Sequence, residues 1–382
     1  MSGAPTFVTR LTPAGRAAIA TILVRGPIAI TSLERHFEPC GSKQLRDLPL
    51  NRIVYGAWSA RENSKEGVVL CRTSDDAVEL NCHGGQAAAD SIVSGLQSAG
   101  CQLVEWALLA GADSIQRECV VALADARTAT VATILLDQHR GALHRAFQEI
   151  QQSLADGNVA EARRQVTILG GFRSLGLHLT KPWRVVLAGA PNVGKSSLIN
   201  SLVGFQRAIV YDQPGTTRDV VTAQTVIDGW LVEFADTAGI RQTDEPVEAA
   251  GVQQSVDCLR DADLIVQVLD AASPQLPREQ LGDLTKVLSV FNKIDQQPSM
   301  ALPIPADSIL TSALTGEGVE HLLGEIGSRL VPQSPPSGAA VPFTERQYAE
   351  LDRISLAMED GEFEAANQSL ARLVDVAPIF DS

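Results

Sequence analysis

Aromatic residues, paired cysteines and long apolar runs are all scarce in this chain of 382 residues. Phe, Trp and Tyr make up only 4% of it although 45% is hydrophobic, so the core must be largely aliphatic, as in helices packed on a sheet. The six cysteines include no CxxC pair, and no histidines cluster near them at the spacing of metal ligands. We therefore expect isolated, buried thiols.

Membrane-spanning and export segments are also missing from the sequence. No stretch approaches the roughly 20 apolar residues that cross a bilayer. The opening letters MSGAPTFVTRLTPAGR contain no apolar segment behind a basic start. We expect a cytoplasmic protein that makes no contact with membranes.

Basic charge is in short supply, because the formal net charge is −14. Affinity for the backbone of nucleic acids comes mainly from clustered Lys and Arg, so binding of RNA by bulk electrostatics is excluded. Any contact with RNA must be local or supplied by a partner.

The length predicts two or three domains, and changes in hydrophobic period indicate their limits. Residues 1–118 alternate short apolar runs with turns around one helix at Gln86–Ser98, which predicts an α+β domain. Residues 182–331 alternate strands and helices, as a parallel doubly wound sheet requires. In the first of these domains, strands are predicted at residues 18–24, 52–57, 67–71 and 77–82.

Helical periodicity dominates the segments on both sides of the second domain. It runs through residues 119–181, and it returns over residues 343–382 after a proline-rich linker at residues 332–342. Thr344 is the predicted cap of the last helical segment. Because that segment would lack a core of its own, we expect it to pack on residues 119–181, which makes residues 182–331 an insertion in a helical domain.

A phosphate-binding motif opens the inserted segment. Residues 189–196 read GAPNVGKS and match the pattern GxxxxGK[ST], directly after one predicted strand and before a helical run. Glycines let main-chain amides curve around phosphates, and the helix N-terminus adds its positive dipole end. Lys195 is expected to reach the β- and γ-phosphates, and the Ser196 hydroxyl to bind Mg²⁺. A chance glycine-rich turn would match the letters but not this context. The predicted phosphate-binding residues are Gly189, Asn192, Val193, Gly194, Lys195, Ser196 and Ser197.

Later motifs predict the metal site and the base. Asp236 opens a DTAG sequence after a predicted strand, where its carboxylate can reach Mg²⁺ through a water and the Gly239 amide can contact the γ-phosphate. In the NKID sequence of residues 292–295, Asp295 can accept both N1–H and the exocyclic amine of guanine. Adenine would leave that carboxylate unpaired, at a cost of about 1–3 kcal/mol. The base-binding residues predicted here are Asn292, Lys293 and Asp295, with Ser312 and Ala313 supplying a backbone amide to the guanine O6.

A threonine-rich stretch lies between the phosphate motif and DTAG. Residues 215–219 read GTTRD, and Thr217 is the predicted switch ligand of Mg²⁺, with Thr216 beside the nucleotide. The alternative is an ordinary Thr-rich loop. Together the motifs predict an α/β P-loop GTPase domain inserted in an α-helical domain, with an N-terminal α+β domain.

The sequence resembles one family of GTPases closely. The strings RAIVYDQPGTTRDVV, DTAGIRQTDEPVEAAGVQQS and ADLIVQVLD are similar to those of the MnmE (TrmE) family of tRNA-modification GTPases. The resemblance continues outside this segment in TPAGRAAIATILVRGP, in CHGG and in QHRGALHRAFQEI. It implies an N-terminal domain that dimerises and binds a formyl-folate, a helical domain, and a G domain inserted within the helical domain.

The resemblance also implies how GTP is hydrolysed. Ile240 follows DTAG where small GTPases carry a water-positioning glutamine, so another group must act. In the family a potassium ion, held partly by the residue that matches Asn192, serves when two G domains face each other, and the residue that matches Glu248 orients the water. The catalytic residues implied are Lys195, Asn192, Thr217, Gly239 and Glu248. Asn192 could instead only stabilise its loop, and Glu248 could be an ordinary acidic residue near a helix N-terminus.

Three departures from the family indicate a divergent member. The sequence ends at ARLVDVAPIFDS without the family's CIGK segment and its cysteine. Ala17 and Ala18 replace a glycine pair, and CQLVEWALLAGADS replaces a Gly-Glu-Phe-Thr stretch, so the folate site is either altered or lost.

The expected function is GTP hydrolysis linked to wobble-uridine modification of tRNA, in a homodimer with a partner modification enzyme. One alternative is a regulatory or ribosome-assembly GTPase switch without modification chemistry. The other is a nucleotide-binding scaffold without turnover.

Overall fold

The computed structural model describes most of the chain as two compact units, one up to Val121 and one over Ala122–Val374. The described residues are 4–13, 15, 17–41, 44–61, 64–110, 113–205, 222–236, 257–272, 284–296 and 308–374. Helix α4 (Ser114–Asp125) includes the boundary between the two units. Within the described residues no helix is both long and apolar enough to cross a bilayer.

The first unit is built on one seven-stranded sheet. The strand order is β3-β4-β5-β6-β2-β1-β7; neighbouring strands are antiparallel except β1 and β7, which are parallel. Two helices contribute Leu33, Ile92 and Leu96 to a core that the sheet completes with residues such as Ile22 and Leu80. The elements are β1 (Phe7–Arg10), β2 (Ile19–Arg25), α1 (Ala29–Glu34), β3 (Phe37–Pro39), β4 (Ile53–Arg61), β5 (Ser64–Arg72), β6 (Ala77–His83), α2 (Gln86–Ser98), β7 (Gln102–Leu103) and α3 (Trp106–Leu109).

The predicted helix at Gln86–Ser98 and a strand-rich N-terminal region are both present. The expectation of buried thiols is wrong at one position, because Cys40 is exposed just beyond β3, while Cys71 is only partly buried. Cys82, Cys101, Cys119 and Cys258 are buried, and all six thiols are free. Burial raises the pKa of the Cys119 thiol to about 12, as suits a core side chain that stays protonated.

The second unit contains a six-stranded sheet with helices. Its strand order is β13-β12-β11-β8-β10-β9, and the pairs among β13, β12, β11, β8 and β10 are parallel. The prediction of a parallel sheet is wrong at one edge, because β9 pairs antiparallel with β10. The bounds are β8 (Trp183–Ala188), α9 (Lys195–Phe205), β9 (Thr222–Ile227), β10 (Trp230–Asp236), β11 (Leu264–Asp270), β12 (Val287–Asn292), β13 (Ile309–Leu310) and α10 (Val319–Leu330).

A tight turn explains the antiparallel edge. Asp228 and Gly229 join β9 to β10, and both have positive φ values, 49° and 86°. Two such residues in succession form the kind of turn that matches the twist of a hairpin, and Asp-Gly is a favoured sequence for it. Gly229 also lies against a helix of this unit, since a Cβ built there would be 2.1 Å from the Thr130 Oγ1.

Helices from both sides of this sheet in the sequence pack together. The Arg163 Nη2 donates to the Met358 carbonyl at 2.5 Å. Within the later segment, the Tyr348 hydroxyl donates to the Pro342 carbonyl at 2.7 Å. The buried Gln138 side chain donates to the Ala339 carbonyl at 3.0 Å. Thr344 caps the following helix by accepting from the Gln347 amide at 3.2 Å. The helices are α5 (Ala129–His139), α6 (Ala142–Ala155), α7 (Val159–Gly171), α8 (Arg173–Leu177), α11 (Glu345–Glu359) and α12 (Phe363–Val374).

Candidate nucleotide-binding site

The phosphate motif forms the loop between β8 and α9, at the carboxyl end of a central strand. A Cβ at Gly189 would lie 2.3 Å from the Val268 carbonyl oxygen. A Cβ at Gly194, where φ is 95°, would lie 2.5 Å from the Asn292 Nδ2. Both positions therefore require glycine, and the loop follows a tight path beside β11 and β12. This is the close approach of backbone that a phosphate cradle needs.

Lys195 lies inside that loop. Its side chain is 5% exposed, and the Nζ donates to the carbonyl oxygens of Gly189 and Ala190, each at 3.1 Å. A buried ammonium is stable only when its hydrogens have partners, and the loop carbonyls supply them. The ammonium is thereby held at the N-terminus of α9. The positive end of the helix dipole there also favours a negatively charged ligand.

Oxygen ligands for a divalent cation are adjacent to Lys195. The Ser196 Oγ donates to the Oδ2 of Asp236 at 2.5 Å, and Asp236 is buried at the end of β10. A hydroxyl and a carboxylate are the hard oxygen donors that Mg²⁺ prefers, so these residues fit the ion. Ser197 is exposed in the first turn of α9.

Asn292 joins the phosphate loop to the loop after β13. It is 1% exposed, its Nδ2 donates to the Val193 carbonyl at 3.0 Å, and its Oδ1 accepts from the Ala313 amide at 3.1 Å. Thr311 adds a weaker contact to the same oxygen at 3.4 Å. The buried side-chain amide of Asn292 thus links the two loops through one backbone acceptor and one backbone donor, with the Thr311 hydroxyl as a further donor.

Asp295 lies at the exposed rim of the site. Its Oδ1 accepts from the Ser312 hydroxyl at 2.5 Å, and Ser312 itself is fully buried. The Ser312 amide donates to the Glu317 carbonyl at 2.9 Å. Both amides expected near the guanine O6, those of Ser312 and Ala313, therefore have acceptors within the protein, and their role in base recognition stays a prediction.

Lys293 spans the space between the base motif and the phosphate loop. Its Nζ donates to the Asn192 carbonyl at 2.6 Å and to the Oδ2 of Asp270 at 2.8 Å. Asn192 is exposed and has a φ of 65°, a conformation that asparagine tolerates better than most residues. Asp270 was not predicted from the sequence, although an acidic residue that ends a buried strand beside the NKID strand was a usable signal.

Four predicted residues lie outside the described part of the chain. They are Thr216 and Thr217, in residues 206–221, and Gly239 and Glu248, in residues 237–256. The structure brings together the remaining predicted residues at one edge of the sheet, where β8, β10, β11 and β12 end. Ligands of open α/β sheets bind at this edge.

Comparison with known proteins places this site in a family. The family model described as a 50S ribosome-binding GTPase matches residues 184–301. The tRNA modification GTPase MnmE of Symbiobacterium thermophilum is 33% identical over 85% of this chain and 82% of its own length. The chain belongs to the MnmE family. MnmE of Clostridioides difficile is 30% identical over 90% of this chain and 86% of its length, and that of Hyphomonas neptunium is 35% identical over 80% and 76%.

Solved structures resemble the MnmE-family chain over a smaller part. A point variant of Aquifex aeolicus Era bound to GDP·AlF4⁻ has a TM-score of 0.31 and 28% identity, covering 46% of this chain and 66% of that one. Family membership rests on the relatives that match most of the chain and on the GTPase model. The protein is accordingly a GTPase with a P-loop domain of mixed sheet and helices, and its family implies GTP and Mg²⁺ as ligands.

The first unit brings together two segments that carry the MnmE resemblance. The Gly84 amide of the CHGG sequence donates to the Ala18 carbonyl at 3.0 Å. A Cβ at Gly84 would lie 1.9 Å from the Ala17 carbonyl oxygen, so only glycine fits there.

Proposed function

We propose that this MnmE-family GTPase couples GTP hydrolysis to modification of the wobble uridine of tRNA, in the cytoplasm and with a partner modification enzyme. The main support is the extent of the match: relatives named tRNA modification GTPase MnmE align over 80–92% of this chain, well beyond the GTPase segment. The net charge of −14 favours a partner or a local surface as the source of RNA affinity.

The nucleotide roles in this proposal follow the contacts of the site. The glycine loop and the α9 N-terminus cradle the phosphates, and Lys195 neutralises their charge. Ser196 and Asp236, with Thr217, hold Mg²⁺, which when bound supplies charge stabilisation on the phosphate oxygens. Asp295 selects guanine, and Asn292 and Lys293 keep the base loops against the phosphate loop. The Gly239 amide contacts the γ-phosphate.

Catalysis in this proposal requires two G domains and potassium. Asn192 holds the ion in part, at a position where its exposed side chain is available to a facing copy, and Glu248 orients the attacking water. Rates of GTP hydrolysis should rise with protein concentration and should be higher in K⁺ than in Na⁺ at equal ionic strength. Equal rates in the two salts would remove the potassium part of the proposal. A rate per protein molecule that stays constant on dilution to concentrations at which the protein is monomeric would remove the dimer.

The domain arrangement is part of the same proposal. We assign residues 119–181 and 343–382 to one helical domain, residues 182–331 to an inserted G domain, residues 332–342 to a linker and residues 1–118 to a dimerisation domain. The hydrogen bond from Arg163 to Met358 and the packing of Gly176 beneath the Pro342 carbonyl support the shared helical domain. Expression of residues 182–331 alone should give a folded, nucleotide-binding fragment, as an insertion with its own core requires.

A folate derivative is the proposed ligand of the N-terminal domain. The close contact of Gly84 with Ala17 and Ala18 brings the family's CHGG segment onto the altered glycine pair. Titration calorimetry with a formyl-tetrahydrofolate tests this assignment, and absence of heat at millimolar ligand would contradict it.

A second candidate is a switch that controls ribosome assembly, and it is favoured by the match to the family described as 50S ribosome-binding GTPases. Affinity capture from lysate on full-length protein loaded with a non-hydrolysable GTP analogue separates the two. Recovery of tRNA with a modification enzyme supports the leading proposal. Recovery of ribosomal particles in their place would overturn it in favour of the switch.

A further inference from the structure

Asp270 connects the central sheet to the phosphate loop through a single lysine. It is the last residue of β11, and its Oδ2 accepts from the Lys293 Nζ at 2.8 Å. The same ammonium donates to the Asn192 carbonyl at 2.6 Å. We propose that Asp270 is a positioning residue of the GTPase reaction, which acts through Lys293 to fix the phosphate loop at Asn192.

Asp270 is itself held rigidly enough for this role. Its Oδ1 accepts from the Ala272 amide at 2.9 Å, and the Ala271 amide donates to the Asn292 carbonyl at 2.9 Å. The carboxylate is therefore anchored at the end of β11 and aligned with the end of β12, which pair in register at Asp270 and Asn292. A carboxylate that is held by a backbone amide, on a strand end that is itself paired, can position a longer and more flexible side chain.

Lys293 needs such an anchor because its side chain is long. A lysine ammonium has three donors on a flexible stem and loses much rotamer freedom when it is held in one place. Charge-assisted hydrogen bonds to a carboxylate are short and strong, and the Asp270 and Lys293 side chains are only 20% and 26% exposed, so solvent weakens the pair little. Without the carboxylate, the contact of Lys293 with the loop has to compete with water.

Lys293 binds the carbonyl of Asn192. Among the described residues of the phosphate loop, Asn192 is the one residue other than glycine that has a positive φ. Asn192 has a φ of 65°, and its carbonyl direction and its side-chain direction are set by the same backbone turn. The neighbouring Val193 carbonyl is held by Asn292 at 3.0 Å. Two consecutive carbonyls of the loop are thus fixed from the NKID strand, and only the Asn192 contact depends on Asp270.

The consequence for catalysis rests on the proposed role of Asn192 as a potassium ligand. If the Asn192 turn relaxes, its side chain spends less time in the direction that binds the ion. The concentration of K⁺ needed for half-maximal activity should then increase. Nucleotide affinity should fall as well, because the amides that follow Asn192 belong to the phosphate cradle.

A double-mutant cycle on the full-length protein tests the assignment. The variants are Asp270→Asn, Lys293→Met and the pair, with Asp261→Asn as the control, since Asp261 lies just before the opposite end of the same strand. Calorimetry gives the affinity for GDP with Mg²⁺, and GTP hydrolysis at saturating GTP gives the half-activating K⁺ concentration. Asp270→Asn should change both quantities by roughly three- to tenfold, as coupled groups in contact do. The double variant should be no worse than Lys293→Met, and Asp261→Asn should match the wild type.

Additive effects in the cycle would overturn the proposal, because Asp270 would then act independently of Lys293. Asp270→Glu retains the carboxylate and should recover both quantities towards wild-type values; a variant as impaired as Asp270→Asn would also overturn it. If the wild type responds equally to K⁺ and Na⁺, the potassium part of the proposed function fails. The calorimetric cycle then decides alone, with non-additivity supporting the role of Asp270 and additivity refuting it.

Discussion

The imidazole of His178 stacks on the indole of Trp183, with ring centroids 3.7 Å apart and planes 7° from parallel. His178 lies just after α8, and Trp183 begins β8, so the pair marks the passage of the chain from the helices into the GTPase sheet. The His178 Nε2 also contacts the Oδ2 of Asp263 at 3.0 Å, and that oxygen accepts from the Arg184 amide at 2.7 Å. One ring stack and two hydrogen bonds therefore tie this junction to β8.

Acid should weaken this junction through Asp263. Burial raises the pKa of Asp263, but hydrogen bonds from His178 and from the Arg184 amide outweigh burial and hold the pKa of this carboxyl below its ordinary value. Because the pKa is lower in the folded state, the ionised carboxylate stabilises the fold at pH values above about 4, which is the pKa in the unfolded state. This contribution is lost as the pH falls through the pKa of the folded state. Asp263→Asn should cost about 1–3 kcal/mol at pH 7.

Urea unfolding followed by circular dichroism at several pH values checks this expectation. The difference between wild type and Asp263→Asn should be largest at neutral pH and should shrink below about pH 4. Exposed Asp261 is the matched control, and its Asn variant should stay within about 0.5 kcal/mol of wild type at neutral pH. A difference that grows towards low pH would contradict the assigned cause.

Gly194→Ala should abolish tight nucleotide binding. The added methyl would lie 2.5 Å from the Asn292 Nδ2, and Asn292 cannot withdraw because both ends of its amide are held by backbone. The backbone φ of 95° adds strain of about 1 kcal/mol or more. We expect a loss of GDP affinity of roughly 100-fold or more, measured by fluorescence titration.

Gly204→Ala is the control for that substitution. Gly204 lies in α9, and a Cβ there meets no atom within 4 Å. Alanine in a helix is favoured over glycine by about 0.8–1.0 kcal/mol, so this variant should bind GDP normally and unfold at slightly higher temperature. Normal binding by Gly194→Ala would show that the loop can take another path.

Asp295→Asn should change the preferred base from guanine to xanthine. The amide keeps an oxygen that can accept from the Ser312 hydroxyl, and its NH₂ can donate to the 2-oxo group that xanthine carries where guanine has an amine. Loss of the charged acceptor should reduce GDP affinity by roughly 10- to 100-fold. Competition between GDP and XDP for the variant measures the change, and continued preference for GDP would argue against base selection by this residue.

Gly229→Ala should destabilise the second unit through the hairpin turn. A Cβ at this position would lie 2.1 Å from the Thr130 Oγ1, and the φ of 86° disfavours any side chain. Gly361 has a similar φ of 76° but open space around it, so Gly361→Ala isolates the backbone term of about 1–2 kcal/mol.

Thermal unfolding of the two variants separates the two contributions. Gly229→Ala should have the lower melting temperature, and adding Thr130→Ala should recover part of the difference because it removes the colliding oxygen. If Gly229→Ala and Gly361→Ala have the same melting temperature, the contact with Thr130 contributes nothing to the loss of stability.

The nucleotide motifs were readable from the sequence because their spacing encodes local geometry. Residues 189–196 form the turn from the end of β8 into α9, and residues 292–295 begin at the last residue of β12, so the order of residues determines the local backbone path. The antiparallel strand β9 was missed, although the Asp228-Gly229 pair was an available sign of a hairpin. The alternation of strands and helices predicts parallel strands only, and it carries no information about a hairpin strand at the edge.

The end of a buried strand marks Asp270 as a residue near the site, but its partner could not be assigned from the sequence, because Lys293 is 23 residues away and the contact exists only once β11 and β12 pair in register. The exposure of Cys40 has a similar origin. Cysteine side chains are usually buried, but Cys40 follows β3, the strand at one edge of its sheet. Its place at that edge leaves the side chain exposed.

The polar groups of the site are already bonded to one another. Lys195 holds carbonyls of its own loop, Ser196 meets Asp236, and Ser312 meets Asp295. A nucleotide that binds there exchanges these hydrogen bonds for its own. The net free energy of binding is therefore a small difference between two larger sets of interactions.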